Sequence, residues 1–436
     1  MTVIDSRDIP ADPESTERLA AGSLTYRVVD GSDAARAELF QRATTRGFLG
    51  AEPSAEELAF GQETFDARRN TGVYDTPEAD TMPVATIDSW VTPVTLPGGG
   101  ELPMWAISGV TVSATHRRRG IARALLEGEL RSAVAAGVPI AGLTVSEATI
   151  YGRYGFGSAL PMAKFTVDTR RAGWAGPAVD GRVEYVDRDA LAAALGTVHE
   201  RARSARAGQI PGWPSRWTGV AGLAPGNTDG SKVRGIRFID RDGEVRGAMA
   251  ITLRDASGSF RFTLDVRLLV AETAEATAAL WRFALQHDLV DEVTADLRPL
   301  DDALPWLVRD PRGVTQTVHD HGWLRILDIS AALTARRYSA PLDVVIRVGD
   351  PLGFTAGDWR LRVDAQGAST LEAADIADGA DVDAELDVSA LSILYAGGVR
   401  ATSLHGAGRI VAAPDVVEAL DRAFVSFPAP ALDIWY

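Results

Sequence analysis

Apolar and polar positions change period several times along the chain, and each change marks an element. Residues 24–29 read as a strand and 33–44 as a helix. Ser54-Ala-Glu-Glu57 has the spacing of a capping box, which predicts a short helix carrying Leu58 and Phe60. Residues 83–95 alternate as a strand, Pro97-Gly-Gly-Gly100 supplies a turn, and 102–112 alternate again, so a hairpin is expected. From 119 to 136, Ala122, Leu125, Leu126, Leu130, Ala133 and Val134 keep helical spacing. Glu127 stands one turn before Arg131, and Gly137 and Pro139 stop the helix. A short buried-type strand, 140–145, and a helical turn at 147–154 closed by Gly155 and Gly157 follow. The order strand, helix, strand, helix implies a largely parallel local sheet.

A second unit begins near Val183, with a helix at 189–206. Strands at 233–240 and 245–254 flank Arg241-Asp-Gly243, whose Asp-Gly step marks a hairpin. A strand at 260–270, a helix at 274–287, a strand at 292–297, a helix near 302–308 and a strand at 323–329 complete it, and the order echoes the first unit as a degenerate internal repeat. A third unit starts near Pro341, with strands at 344–348, 359–365 and 384–388 and helices at 389–397 and 414–427, an α+β order; residues 428–436 have no helical pattern. At 436 residues and ~150 per domain, about three domains are expected, with limits at 1–168, 169–335 and 336–436.

Composition narrows the chemistry. There is no cysteine, which removes disulfides, thiol nucleophiles and thiolate metal sites; Lys164 and Lys232 are the two lysines, a poor basis for Schiff-base chemistry. The formal charge of −15 opposes the counterion-release binding of nucleic acids and anionic membranes and favours a cationic partner. Residues 1–19 carry acidic residues and prolines without an apolar run, unlike a targeting peptide, and no stretch approaches the ~20 apolar residues of a membrane span. The cytoplasm is the expected location.

The informative segment is Val110-Thr-Val-Ser-Ala-Thr-His-Arg-Arg-Arg-Gly-Ile-Ala122. A strand ends, an arginine-rich loop closed by glycine turns sharply, and an amphipathic helix begins, so backbone N–H groups and a helix N-terminus converge as a phosphate cradle. Gly120 admits a ligand without a Cβ, and Arg117, Arg118 and Arg119 would screen a pyrophosphate that the overall charge repels. An isolated Arg-Arg-Arg is commonly a solvated turn; the strand before it and the helix after it favour the cradle. No Walker A lysine and no Gly-x-Gly-x-x-Gly after a strand are present, which speaks against nucleoside triphosphates and dinucleotides.

Arg117-Arg-Arg-Gly120-Ile-Ala122 resembles the acetyl-CoA loop of the GNAT N-acetyltransferases, Arg/Gln-x-x-Gly-x-Gly/Ala. Together with Ser146-Glu-Ala-Thr-Ile-Tyr151-Gly-Arg-Tyr-Gly-Phe-Gly157 it is similar to the Eis (enhanced intracellular survival) family of bacterial acetyltransferases. The resemblance implies a fold of α/β and α+β type over nearly the whole chain. Two tandem GNAT-like domains, the second degenerate, precede a C-terminal α+β domain like sterol carrier protein 2. It implies acetyl-CoA as co-substrate without a metal, primary amines of polycationic small molecules such as aminoglycosides as acceptors, and a homo-oligomer, a hexamer in the family. In the family the tyrosine of the Ile-Tyr-Gly-Arg motif protonates the departing thiolate and the terminal carboxylate takes the amine proton; those roles fall on Tyr151 and on the α-carboxylate of Tyr436, delivered by the C-terminal domain.

Phenol pKa, ~10, is near a thiol's ~8.5, whereas an α-carboxylate at ~3.5 needs desolvation to become basic. Tyr151 would otherwise be a core aromatic and the terminus a frayed end. Backbone groups of Val110, Thr111 and Val112 would align the thioester, with a bulge aiming an N–H at its carbonyl. Ile121, Ala122, Arg123, Ser146 and Glu147 complete the cofactor set, the last two reading equally well as a cap on a strand exit. The chain carries Trp435 where a family member has an acidic residue, with Asp433 two positions back, so amine binding would rest on Asp433 or on cation–π contact with Trp435. His319-Asp-His321 places two imidazoles on one strand face without a third ligand, and the second unit has Ala274 and Glu275 where a cofactor loop would need Arg and Gly. Protein lysine acetylation and a non-catalytic lipid-binding or scaffold role are the alternatives.

Overall fold

The computed structural model describes residues 5–76, 81–255, 258, 260–376 and 382–436. The chain packs as two compact units, one formed by Met1–Ala159, Gly322–Ser426 and Tyr436, the other by Leu160–His321 and Phe427–Trp435. The strands that build their main sheets are β1 Thr25–Val28, β2 Arg69–Tyr74, β3 Ala85–Thr95, β4 Glu101–Val112, β5 Ile140–Thr144, β6 Gly157–Asp168, β7 Gly181–Val186, β8 Arg234–Asp240, β9 Val245–Asp255, β10 Phe262–Ala271, β11 Val290–Arg298 and β12 Val314–Ile326.

In the first unit β1 to β4 pair antiparallel in order, β4 runs parallel to β5 through Met104–Ile107 against Ile140–Leu143, and Gly322–Ile326 of β12 pairs antiparallel with β5. The parallel β4–β5 step is the one the helical crossover predicts, and the helix Ile121–Ala135 supplies that crossover. One face of the sheet, with Ile87, Trp105, Ile107, Ala141 and Leu143, packs on Leu125, Leu126 and Leu130 of this helix. Alternation turns Asp88, Trp90, Ala106, Ser108, Gly142 and Thr144 to the opposite face, where Ala106 and Gly142 leave the surface low.

Glu129 of the helix is fully buried and fully bonded. It accepts from Arg69 Nε (3.3 Å), Thr71 Oγ1 (3.1 Å), Ser89 Oγ (2.6 Å) and Trp105 Nε1 (3.0 Å). Arg69 spends its remaining N–H groups on the carbonyls of Ile9 and Pro10, which orders an N-terminal stretch that the sequence left without an element. Pro13–Ala20 is a helix there, capped by Asp12, whose side chain accepts the Ser15 N–H. Asp12 takes Arg131 at 2.7 Å. Glu127 pairs with Arg131 one turn on, at 3.8 Å, as its spacing predicts, and more closely with Arg18 at 2.7 Å and Arg123 at 2.6 Å.

The C-terminal part of the same unit is an α+β layer. Its strands are β13 Leu342–Gly349, β14 Gly357–Val363, β15 Ser369–Ala373, β16 Ala384–Asp387 and β17 Ile410–Ala412, in the order β15-β14-β13-β16-β17 with β13 and β16 parallel. A buried pair ties it to the first sheet: Arg325 of β12 donates to Asp350 at 2.6 Å, and Asp350 also accepts the N–H groups of Leu352 and Thr355 and the Thr355 hydroxyl. Ser389 at the start of the helix Val388–Tyr395 donates to the Phe156 carbonyl at 2.7 Å.

In the second unit, Leu160–Asp168 of β6 lies beside β11, and the order continues β10, β9, β8, β7, with β10 and β11 parallel and the other pairs antiparallel. This repeats the strand, helix, strand pattern of the first sheet, with Ala274–Leu285 as the crossover helix and Trp281 fully buried beneath it. The expected helix at 302–308 is a single 3-10 turn, Leu304–Trp306. β2, β6 and the first part of β12 were not read as strands: Arg and Asn in β2 and His in β12 fill positions that alternation assigns to apolar residues, and Pro161 interrupts β6. Glu129→Ala would strand the Arg69 guanidinium in the core, and urea denaturation should show a loss of about 3–5 kcal/mol.

Candidate active site

The site begins where β4 and β5 part. Their last pair is Ile107 with Leu143; beyond it β4 stays on β3, with a register shift between Thr86 and Asp88 that makes Gly109 and Val110 face Ile87 together. Gly109 sits at φ 59°, and a Cβ there would run into Asp88 Oδ2, so the bulge requires glycine. Ser113 donates its N–H to the Val84 carbonyl at 2.8 Å, so alternation turns the N–H groups of Val110 and Val112 to the edge that β5 has left. The side chains of Val110 and Val112 pack on the helix-side core, and Thr111 faces the other way, its hydroxyl 2.7 Å from that of Thr86.

After β4 the chain turns through Ala114–His116 and reaches Gly120 at φ 76°, the N-cap of Ile121–Ala135, with no side-chain cap. Five other helices are capped by Asp12, Asp33, Ser54, Asp187 and Thr273, whereas here, with glycine at the N-cap, no side chain takes the first-turn N–H groups and they stay open to a ligand. Arg118 is itself in the left-handed region at φ 61°. Arg117 and Arg118 are exposed and make no ion pair among the described residues, whereas Arg119 donates to the Gly22 carbonyl at 3.1 Å and Arg123 is held by Glu127. Three N–H donors, a glycine without a Cβ and two uncommitted guanidinium groups suit a pyrophosphate. The second unit differs at the same place: Thr273 caps its crossover helix, and Arg298 bridges to the Leu269 carbonyl at 2.6 Å and to Asp302.

Tyr151 lies on the helix side. It is 8% exposed, packs edge-on against Phe156 at 6.2 Å, and belongs to the core cluster with Leu143 and Val145. Burial raises its phenol above the ordinary value, and Glu147 and Tyr154 add to the rise. It therefore stays protonated at neutral pH, and donating its proton is more uphill than an unperturbed phenol would make it. The Gly152–Tyr154 turn after it is fixed by Arg325, which donates to the Tyr154 carbonyl at 2.9 Å. Ser146 and Glu147 are exposed on the loop from β5 and cap no helix; Thr149 donates to Glu147 at 3.2 Å.

Tyr436 lies on the opposite face. Its N–H donates to Thr144 Oγ1 at 3.3 Å, the Thr144 hydroxyl donates to its carboxyl oxygen, and its ring stands edge-on to Trp90 at 5.2 Å. Thr144 is the residue after the last β4–β5 pair, so the Tyr436 carboxyl is at the open end of the two strands. Burial raises the Tyr436 phenol as well. Thr144, Trp90 and the Gly109 bulge were not singled out in the sequence. The glycine inside a strand pattern was the available signal for the bulge.

Asp433 and Trp435 belong to the second unit, where the segment before Tyr436 is gripped along its length. Ala429 N–H donates to Asp301, Ala431 N–H to the Ala207 carbonyl, His199 Nε2 to Asp433 at 3.1 Å, and Arg216 to the Asp433 carbonyl. Asp433 lines a cleft of about 340 Å³ with His199, Arg298 and Asp302. Burial works to raise its carboxyl, but the His199 hydrogen bond and the nearby Arg216 and Arg298 hold it below the usual range. Asp433 is thus committed to His199. Trp435 is 45% exposed, its ring against His321 at 4.6 Å. His319 bonds Asp296 at 2.8 Å and His321 bonds the Ile434 carbonyl at 3.1 Å, so each imidazole has a structural partner.

A parallel strand pair that opens beyond a bulge, followed by an uncapped, arginine-flanked helix start, defines a GNAT-type N-acetyltransferase. Residues 32–159 match the family model of an acetyltransferase (GNAT) domain, 212–326 a second such model, and 329–433 a sterol carrier protein domain. The chain belongs to the Eis family of N-acetyltransferases. It is 32% identical over 358 residues to the N-acetyltransferase Eis of Mycobacterium tuberculosis, covering 76% of this chain and 81% of that one. An uncharacterized N-acetyltransferase of Streptomyces coelicolor is 35% identical over 371 residues, 84% and 88% of the two chains. The crystal structure of Eis1 from Mycobacterium abscessus superposes with a TM-score of 0.78 at 30% identity, covering 95% of this chain and 100% of that one. Among the described residues no helix is long and apolar enough to cross a membrane.

Burial pushes His321 down to about 4, with the Ile434 carbonyl opposing and His319 and Arg216 adding. The unfolded chain takes up this proton near ~6.5, so acid favours unfolding as pH falls from there to about 4, and this contribution to stability is complete only above the window. Thermal midpoints followed across that range should fall more steeply for the wild type than for His321→Gln, which cannot titrate.

Proposed function

We propose that this chain transfers the acetyl group of acetyl-CoA to primary amines of polycationic small molecules such as aminoglycosides. The observation that carries the reading is the seat of the Tyr436 carboxyl on Thr144, at the open end of β4 and β5, with Tyr151 on the other face. Acetyl-CoA, the co-substrate of GNAT acetyltransferases, supplies the activated acyl group. Its pyrophosphate would rest on the N–H groups of Ile121, Ala122 and Arg123, against Gly120, Arg117 and Arg118, with Arg119, Ser146 and Glu147 bordering it.

The N–H groups of Val110 and Val112 polarise the thioester carbonyl and stabilise the charge that develops on it. The Tyr436 carboxylate, held by Thr144, accepts the proton of the attacking amine. Tyr151 protonates the departing sulfur, its phenol kept neutral by burial until that charge appears. The net charge of −15 draws a polycation toward the surface, and the half-exposed Trp435 ring, rather than the committed Asp433, is the proposed contact for its distal amines. A cytoplasmic homohexamer with domain limits at 1–168, 169–335 and 336–436 completes the proposal.

A thiol-release assay comparing aminoglycosides with lysine peptides tests the acceptor class; turnover of peptides alone would sink the aminoglycoside reading. Tyr151→Phe keeps the ring and removes the proton, so kcat should fall by ~10²–10⁴-fold while acetyl-CoA affinity, followed by calorimetry, holds. An unchanged kcat would return Tyr151 to the core. Appending a few residues after Tyr436 turns its carboxylate into an amide and moves the new terminus by roughly 3.3 Å per residue. Turnover should collapse with folding and acetyl-CoA binding intact, whereas Tyr436→Phe should be mild.

A further inference from the structure

The floor under Tyr436 is one continuous row of contacts on the sheet face away from the helix. Asp88 and Trp90 are two apart on β3 and share that face. Asp88 lies against the Gly109 bulge through Oδ2 and accepts from Arg68 Nη1 through Oδ1 at 2.7 Å; the two side chains are 10% and 11% exposed. The Arg68 guanidinium then lies over the Trp90 ring at 3.8 Å, and the Trp90 ring meets that of Tyr436 at 5.2 Å. The Tyr436 phenol reaches over Gly142, where a Cβ would stand 3.1 Å from its oxygen, and the backbone closes on Thr144, two residues along the same strand. The row begins at the bulge that aims the thioester-facing N–H groups and ends at the carboxyl.

The geometry points to Arg68 and Asp88 as positioning residues for the acyl transfer. They fix the Trp90 ring, and through it the Tyr436 residue, at a set distance from the bulge. This inference rests on the reading of the Tyr436 carboxylate as base. Arg68 suits the task because a planar guanidinium satisfies a carboxylate in its plane and an aromatic ring on its face at once, which an ammonium does only one at a time. Asp88 suits it because one carboxylate oxygen holds Arg68 while the other rests on the backbone of β4. In this inference their effect reaches the reaction through where Tyr436 sits, by way of the Trp90 ring.

The test reads position and turnover separately. Carboxypeptidase A releases an accessible terminal tyrosine, and mass spectrometry follows the loss of Tyr436 from the folded chain. Arg68→Met should release Tyr436 at least several-fold faster than the wild type and lower kcat/KM for the best amine acceptor by about 10–10²-fold, with acetyl-CoA affinity held and the chain still folded at the assay temperature. Arg68→Lys should restore part of both. Combined with a C-terminal extension, Arg68→Met should cost nothing further, because the group it positions is already gone. Unchanged tyrosine release with unchanged kcat/KM overturns the inference, as does an equal loss of activity in the extended and unextended chains. Undiminished turnover of the extended wild type overturns the base reading instead, and the carboxypeptidase arm still decides whether Arg68 holds Tyr436. Should Arg68→Met fail to fold, Trp90→Leu removes the middle of the row while sparing the Arg68–Asp88 pair and carries the same comparison.

Discussion

The parting of β4 and β5 after Ile107 and Leu143 is the constraint on which the site depends. Two parallel strands satisfy each other's backbone groups only while they run side by side, so a divergence leaves N–H and C=O groups on both lips without ladder partners. The chain does not fold over that gap from the helix side. It keeps β4 on β3 by a bulge at Gly109, keeps β5 on β12 through Gly322 opposite Thr144, and leaves the facing edges open. Such a slot demands an occupant able to make β-like hydrogen bonds, which an extended amide-containing chain such as pantetheine does. The neighbouring helix start, without a side-chain cap, asks for an anion in the same way.

The rest of the first unit stiffens the lips of that slot. Glu129 joins the crossover helix to β2, β3 and β4 with four hydrogen bonds, so the helix start cannot drift from the strand it follows. Arg325 and Ser389 hold the carbonyls of Tyr154 and Phe156, which brackets the turn carrying Tyr151 from the side of the α+β layer. This gives the C-terminal layer a role in the site that does not require it to bind lipid. The tail from 427 to 435 is held by groups of the second unit, and Tyr436 then docks on Thr144.

The periodic elements were legible because their periods are strong. The hairpin, the crossover helix, the capping box at Ser54 and the repeat of the strand, helix, strand order in the second unit all follow from spacing alone. The sharp strand-to-helix turn was legible because Gly120 falls between a strand pattern and a helical one, and it is the positive-φ N-cap of that helix. What escaped is what depends on pairs distant in sequence. Asp88 and Arg68 read as ordinary surface charges until β2 and β3 bring them together, and Ala106 and Gly142 read as filler until Tyr436 lies over them. Asp433 illustrates the converse: a free carboxylate near the terminus invites an amine, but burial beside His199 gives it a partner within the chain. β2 was hidden by polar residues whose partners are other buried side chains, as Arg69 with Glu129, and the start of β12 by a run of exposed polar residues in which His319 bonds Asp296.

The proposed assignment of acid and base to opposite faces of one sheet has a chemical consequence. A phenol and a carboxylate within reach of each other would share a hydrogen bond, which lowers the acidity available to one and the basicity available to the other. Tyr151 in the helix-side core and Tyr436 over Gly142 and Thr144 are separated by the sheet itself. In the proposed roles the two groups therefore do not quench each other: burial holds the Tyr151 phenol above its ordinary value, and the Tyr436 carboxyl accepts the Thr144 hydroxyl instead. On the proposed mechanism the thioester would sit where the sheet is open, with its sulfur toward Tyr151 and its carbonyl carbon toward the Tyr436 carboxylate, and an amine would reach that carbon from the face that carries Tyr436. The direction of attack would then follow from which face of a single strand pair is filled by the crossover helix, a choice fixed by the hydrophobic side of residues 121–135.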